Sequence, residues 1–199
     1  MTSLPNILTL SRILVIPVVI GLLLVPGWEA RWTACFLFSA AGVTDWLDGH
    51  FARRWQQQSE IGRFLDPIAD KLLVSAILFM LAALGRFSSL WSLFPSLVIL
   101  SREILVSGLR EYLAGLRVGL PVSRLAKWKT GIQMVAIGVL IVGETGPAWL
   151  PTVALGECLL WVAALLTIVT GYDYLRAGLH HMTADPAPPT TIKSPGRVL

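Results

Sequence analysis

The sequence predicts an all-α integral membrane protein, a six-transmembrane-helix bundle with a polar cavity at its cytoplasmic side. Three observations predict it. Hydrophobic residues make up 55% of the 199-residue chain and charged residues 14%, whereas a soluble domain is nearer half apolar and a quarter charged. The mean hydropathy is +0.70. Six apolar segments can be drawn, and each meets the requirement of about 20 residues to cross the hydrocarbon core.

The first segment, Asn6–Val25, starts almost at the N-terminus, with no basic leader and no small-residue cleavage site, so no removable targeting peptide is expected. Pro26-Gly27 closes it. The second runs over Arg31–Arg54 and the third over Ile61–Leu84, ending at Gly85. The fourth, Leu90–Leu116, stops before Gly119-Leu120-Pro121. The fifth, Arg124–Val142, stops before Gly146-Pro147, and the sixth covers Pro151–Leu179. Pro17 and Pro67 are expected to bend or begin helices rather than touch substrate. From Thr183 the chain turns polar and proline-rich and reads as a disordered tail. The domain division is therefore a six-helix membrane domain over 1–182 and a tail over 183–199.

If six helices alternate, Arg12, Arg53, Arg54, Arg63, Arg110, Arg117, Arg124, Lys127, Lys129 and Arg176 lie toward one side, with only Arg31 and Arg86 opposite. The positive-inside rule then places both termini in the cytoplasm. Trp28, Trp32, Trp91 and Trp149 would form an outer aromatic belt, with Trp55 and Trp128 on the inner one. The net charge of +4 carries no dense basic tract, so no nucleic-acid partner is expected. Cys35 and Cys158 fall in apolar runs and read as small buried side chains.

Chemistry concentrates between Asp45 and Asp70. Asp45, Asp48 and Ala52 recur at i, i+3 and i+7 and share a helical face, with Gly49 and Arg53 beside it. Gly62, Asp66 and Asp70 are four apart and share a face of the next helix. Two helices joined by a short turn would be antiparallel neighbours, so the carboxylates can converge at the cytoplasmic end. Gly49, Ala52 and Gly62 are small where helices approach each other or a ligand. Ionisable groups at membrane depth need a partner, a cavity or a function. An all-oxygen donor set selects a hard divalent ion, Mg²⁺ or Mn²⁺, which binds through a few carboxylates together with substrate phosphates. His50 lies one residue off the face. Paired intramembrane aspartates also mark ion paths, and a lone Asp–Arg pair can be purely structural.

The pattern D-x2-D-G-x2-A-R-x8-G-x3-D-x3-D is met by Asp45, Asp48, Gly49, Ala52, Arg53, Gly62, Asp66 and Asp70, eight fixed positions over 26 residues. It resembles the signature of the CDP-alcohol phosphatidyltransferases. Pro5-Asn6-Ile7-Leu8-Thr9-Leu10-Ser11-Arg12 resembles that family's opening helix. Gly62 to Lys71, Arg102 to Glu111, Lys127 to Thr130 and Gly171 to Tyr174 look like its branch that uses a glycerol phosphate acceptor.

The resemblance implies transfer of a phosphatidyl group from CDP-diacylglycerol to sn-glycerol 3-phosphate with release of CMP. It implies that Asp45, Asp48 and Asp66 hold one metal ion, that Asp66 and Asp70 contribute to a second, and that Asp70 is the general base. Gly49, Arg53, Ser59 and Gly62, with Asn6 and Thr9 from the first helix, match positions at the CDP-diacylglycerol headgroup. A homodimer in a bacterial inner membrane, with the active site facing the cytoplasm, is the expected setting.

The acceptor's phosphate needs its own site. Arg110 and Lys127 are assigned to it first, with Arg102 and Lys129 behind them; pairing with Glu103 or Glu111 is the competing account. Asp173, between Tyr172 and Tyr174, either caps that site or anchors the helix end. His180 and His181 read as solvated. The rivals are a family member using phosphatidylglycerol, serine or inositol phosphate, and a divalent-metal transporter with an aspartate ion path. The transporter gives no reason for Gly49, Arg53 and Gly62.

Overall fold

The computed structural model describes residues 4–55, 60–115 and 124–183, and within them the side chains of residues 9–44, 65, 68–115, 125–176 and 178. All regular structure among these residues is helical: α1 Leu4–Leu24, α2 Trp28–Trp55, α3 Glu60–Ala83, α4 Leu93–Gly115, α5 Arg124–Val142 and α6 Thr152–Thr183. A 3-10 turn, Leu90–Ser92, leads into α4, and another, Gly143–Thr145, follows α5. Helix α6 therefore continues four residues past the expected Leu179. The tail beyond it, and the stretch holding Gly119 and Pro121, lie outside the described residues.

Local chemistry accounts for the boundaries. Ser89 is extended (φ −155°, ψ 164°) and halts the chain before the 3-10 turn. Pro95 enters in the first turn of α4, where its missing N–H would have had no intrahelical partner. Pro17 sits inside α1, where its ring removes the donor that Ile13 would otherwise receive.

Each helix sends one large side chain to the centre: Val19, Phe38, Ile77, Ile99, Ile137 and Leu160 are all fully buried. The helices form a ring in the order α1, α2, α5, α6, α4, α3, closing back on α1. The α5–α6 seam is the most extensive, and the seams from α3 to α4 and α5 are the lightest. Helices α2 and α3 were expected to face each other directly. Among the described residues most of their packing is instead against α1, which is apolar along most of its length and buries Val19 and Leu23.

The outside is apolar, with Leu14, Phe36, Phe79, Leu97, Ile104 and Leu165 all exposed. Among the described residues three segments are long and apolar enough to cross a membrane: Leu90–Gly115, Leu125–Thr145 and Thr152–Arg176. The turns after α1, α3 and α5 share one end of the bundle. There Arg31 Nη1 donates to Val142 O at 3.4 Å and Trp32 Nε1 to Thr145 O at 3.4 Å. The Ser88 backbone N–H and Oγ donate to the two carboxylate oxygens of Glu157 at 2.5 and 2.6 Å. Trp28, Trp32, Trp91 and Trp149 are exposed around this end.

Cys35 is half-buried, with its thiol 3.4 Å from Gly138 O. Cys158 differs from the expectation of burial: it is exposed on α6, two residues and so about 200° around the helix from the buried Leu160.

The α5–α6 seam depends on Gly156. A Cβ there would lie 2.7 Å from Leu140 Cγ and 2.9 Å from its Cδ2, closer than packed carbons tolerate. Gly156→Leu should lower stability by about 1–3 kcal/mol, read as a fall in the Tm of purified protein in detergent. An unchanged Tm would contradict the close approach.

Candidate active site

Asp45, Asp48, Gly49 and Arg53 fall in the last three turns of α2, and Gly62, Asp66 and Asp70 in the first three turns of α3. Of these, only the Asp70 side chain is among the described ones. Asn6 is described by its helical backbone alone, and Ser59 lies outside the described residues.

The short turn between α1 and α2 makes them antiparallel, so the start of α1 lies beside the end of α2. A cavity one turn from Asp45 is lined by Ser11 and Arg12 from α1 and by Ala40, Ala41 and Thr44 from α2. Thr9 and Arg12 are buried at 1% and 2% exposure. Thr9 therefore sits at the level of the last turns of α2. Arg12, read from sequence as a charge at a segment end and the last residue of the opening-helix stretch, is an interior residue.

A second cavity opens at the light seam between α3, α4 and α5. Asp70, Lys71 and Ser75 line it from α3, Glu103 from α4, and Lys129 and Gln133 from α5. Asp70 stands about 15 Å along α3 from its start. Lys129 is 4% exposed and donates to Glu103 Oε1. Lys71 Nζ donates to Ser107 Oγ. Breaking one partner out of such a desolvated pair costs far more than the pair contributes, because a charge is left unanswered in a low dielectric. Gln133 is 3% exposed, and its Oε1 has no hydrogen-bond partner among the described residues.

The four basic residues assigned to the acceptor separate here. Lys129 lines the cavity with Asp70. Lys127, two residues earlier and so about 200° around the helix, is exposed. Arg102 and Arg110 lie on the face of α4 toward α6. The Arg102 guanidinium sits 5.6 Å from the Tyr174 ring centroid and that of Arg110 5.4 Å. Arg102 Nη2 donates to Thr170 Oγ1 at 3.0 Å, and its Nη1 lies 3.5 Å from Glu103 Oε1. Arg110 Nη2 donates to the Tyr174 hydroxyl at 3.4 Å. Gly171 makes room, since a Cβ there would meet Arg102 Cγ at 3.0 Å. Glu103 thus bridges the two groups: the competing account of the acids holds for it toward Lys129 and Arg102. Tyr174 is buried, whereas Tyr172 and Asp173 are exposed.

Sequence reasoning missed Glu103, Lys71 and Gln133 as cavity residues. Gln133 had a usable signal: it is a polar residue inside an apolar run, one turn beyond Lys129. Among the described residues no group of three or more His, Cys, Asp or Glu side chains gathers. The carboxylates that would complete one with Asp70 are those of α2 and Asp66, an all-oxygen set suited to a hard cation. The arrangement pairs a carboxylate with cations in one partly desolvated space. It can hold an anion and accept a proton from it.

A family model described as CDP-alcohol phosphatidyltransferase matches residues 2–169. A protein of Rickettsia typhi named CDP-diacylglycerol–glycerol-3-phosphate 3-phosphatidyltransferase is 47% identical over 177 residues, spanning 89% of this chain and 97% of its own. Proteins of the same name from Pseudomonas fluorescens and Shigella flexneri are 40% and 38% identical. They cover 92% and 88% of this chain and 93% and 94% of their own.

The Tyr174 arrangement gives an ordering of stabilities. Tyr174→Phe keeps the ring under both guanidinium groups and loses one hydrogen bond, about 1 kcal/mol. Tyr174→Leu loses the cation–π contacts as well and should cost roughly 1–2 kcal/mol more. Thermal unfolding in detergent should rank wild type above Phe above Leu; equal Tm values for Phe and Leu would remove the ring from the account.

Proposed function

The chain belongs to the CDP-alcohol phosphatidyltransferase family, and from that premise we propose that it transfers a phosphatidyl group from CDP-diacylglycerol to sn-glycerol 3-phosphate, releasing CMP. Relatives at 38–47% identity along nearly their whole length carry that name. The observation that carries the reading is the cavity that brings Asp70, the last carboxylate of the motif, together with the Lys129 ammonium.

Asp70 accepts the proton of the acceptor's primary hydroxyl as that oxygen attacks the β-phosphoryl group of the lipid nucleotide, and CMP leaves. Of the basic residues assigned to the acceptor's phosphate, Lys129 holds it from the cavity wall with Arg110 and Arg102 behind it; Lys127, exposed on the opposite face of α5, stands outside this set. Asn6, Thr9, Gly49, Arg53, Ser59 and Gly62 hold the CDP-diacylglycerol headgroup, the glycines by letting it approach the backbone. Asp45, Asp48 and Asp66 would hold one Mg²⁺ or Mn²⁺ ion, and Asp66 with Asp70 a second. Bound there, such ions neutralise the pyrophosphate and the departing phosphate oxygens.

The bundle crosses the bilayer six times in this reading, with both termini and the polar cavity on the cytoplasmic side of a bacterial inner membrane, as a homodimer. Such a site meets one substrate anchored by acyl chains and one dissolved in the cytosol. The basic residues gather at the ends of the helices away from the exposed Trp28, Trp91 and Trp149, which supports that orientation.

Purified protein given CDP-diacylglycerol and a panel of acceptors should release CMP with sn-glycerol 3-phosphate, and should stop when the divalent ion is chelated. Product with serine or phosphatidylglycerol, and none with glycerol 3-phosphate, would sink the acceptor. Asp70→Asn should lower turnover about 10²–10⁴-fold and spare lipid binding; full activity would refute the base. Neutralising Arg110 should raise the KM for glycerol 3-phosphate more than that for the lipid, and an unchanged acceptor KM would take Arg110 out of the site.

A further inference from the structure

Buried polar atoms without a hydrogen-bond partner occur among the described residues in Ser96, Gln133 and Thr167, and at Nε of Arg102, whose guanidinium is otherwise engaged. Only Gln133 lies in the wall of the cavity that holds Asp70 and Lys129. Its side chain is 3% exposed, so bulk water does not answer the amide oxygen. A buried acceptor left in this state destabilises the fold, and a neutral amide does nothing to balance the charges of Asp70, Lys71, Glu103 and Lys129 around it. Such a group is understandable where a ligand supplies the missing donor.

The shape of the acceptor says which donor. Resting on the reading above, glycerol 3-phosphate brings three polar groups: a phosphate, the primary hydroxyl that reacts, and a second hydroxyl on the middle carbon. Cations answer the phosphate and Asp70 answers the reacting hydroxyl. The middle hydroxyl has no assigned partner. Gln133 sits one helical turn from Lys129 on the same face of α5, so its amide and that ammonium are presented to the cavity side by side. We propose that Gln133 Oε1 accepts a hydrogen bond from the non-reacting hydroxyl of the acceptor and makes the enzyme selective for a polyol phosphate over a simple alcohol phosphate. A site built to pair a hydroxyl rejects the analogue that lacks it, because its own buried polar atom is then left unpaired.

The test compares glycerol 3-phosphate with 3-hydroxypropyl phosphate, which keeps the reacting hydroxyl and the phosphate and lacks the middle hydroxyl. Wild type should favour glycerol 3-phosphate by at least about tenfold in kcat/KM. Gln133→Met, similar in volume and without an amide, should lower kcat/KM for glycerol 3-phosphate by about tenfold and leave the analogue within roughly twofold, so that selectivity collapses. A variant that discriminates as strongly as wild type, or loses equally on both acceptors, overturns the proposal. Stability supplies a readout that does not depend on turnover. Removing an unpaired buried amide should leave the Tm of acceptor-free protein level or raise it by roughly 2–4 °C. A fall in Tm would mark Gln133 as a structural residue and sink the assignment. Wild-type protein that releases no CMP with glycerol 3-phosphate overturns the acceptor and this inference together. Wild-type activity with unchanged selectivity in the variant overturns the inference alone.

Discussion

A charge inside an apolar helix bundle must be answered within the bundle, and the Lys129–Glu103 contact is where this chain does so. It joins α5 to α4 across a cavity, at a place where the two helices are otherwise separated by α6 in the ring. From Glu103 the charge balance extends to Arg102, and from Arg102 to Thr170 and the Tyr174 ring on α6. One carboxylate thereby couples α6 to α4 and α5, the two helices that carry every basic residue assigned to the acceptor. Taking away either member would leave a charge in a low dielectric, so the polar interior stands or falls as a set.

The helices themselves were legible from sequence. Apolar length and Gly and Pro punctuation located all six to within a few residues, because those signals act through the local backbone. Their order in space was not. Spacing put Asp45 and Asp48 on one face and Asp66 and Asp70 on another. It could not say that α1 would lie against both helices, since α1 is apolar nearly all round and its pattern names no partner. The family was readable for a different reason. A two-helix motif that must arrange carboxylates fixes residue identities at fixed intervals, and eight such positions survive any uncertainty about packing.

The acceptor region shows where sequence runs out. Lys127 and Lys129 are both basic, both early in α5, and necessarily on opposite faces. Periodicity says that they differ, and only the packing of α5 says which one turns inward. Glu103 was visible as a neighbour of Arg102, but its principal partner, Lys129, comes from a helix 26 residues further along. Cys158 misled in the reverse sense. In a chain whose exterior is as apolar as its interior, an apolar neighbourhood carries no information about depth.

The unequal seams of the ring have a mechanical consequence. Gly156 against Leu140 draws α5 and α6 together closely, and Arg102 with its partners ties α4 to that pair. Those three helices form a stiff chassis that carries Lys129, Gln133 and the arginines in fixed mutual register. Helix α3, which carries Asp70, is seated on α1 and touches the chassis lightly. The span between the proton acceptor and the anion seat is therefore set across the lightest seam among the described helices. A small rock of α3 about α1 would tune that span at the expense of the Lys71–Ser107 contact, and a wedge-shaped inhibitor would find its leverage there.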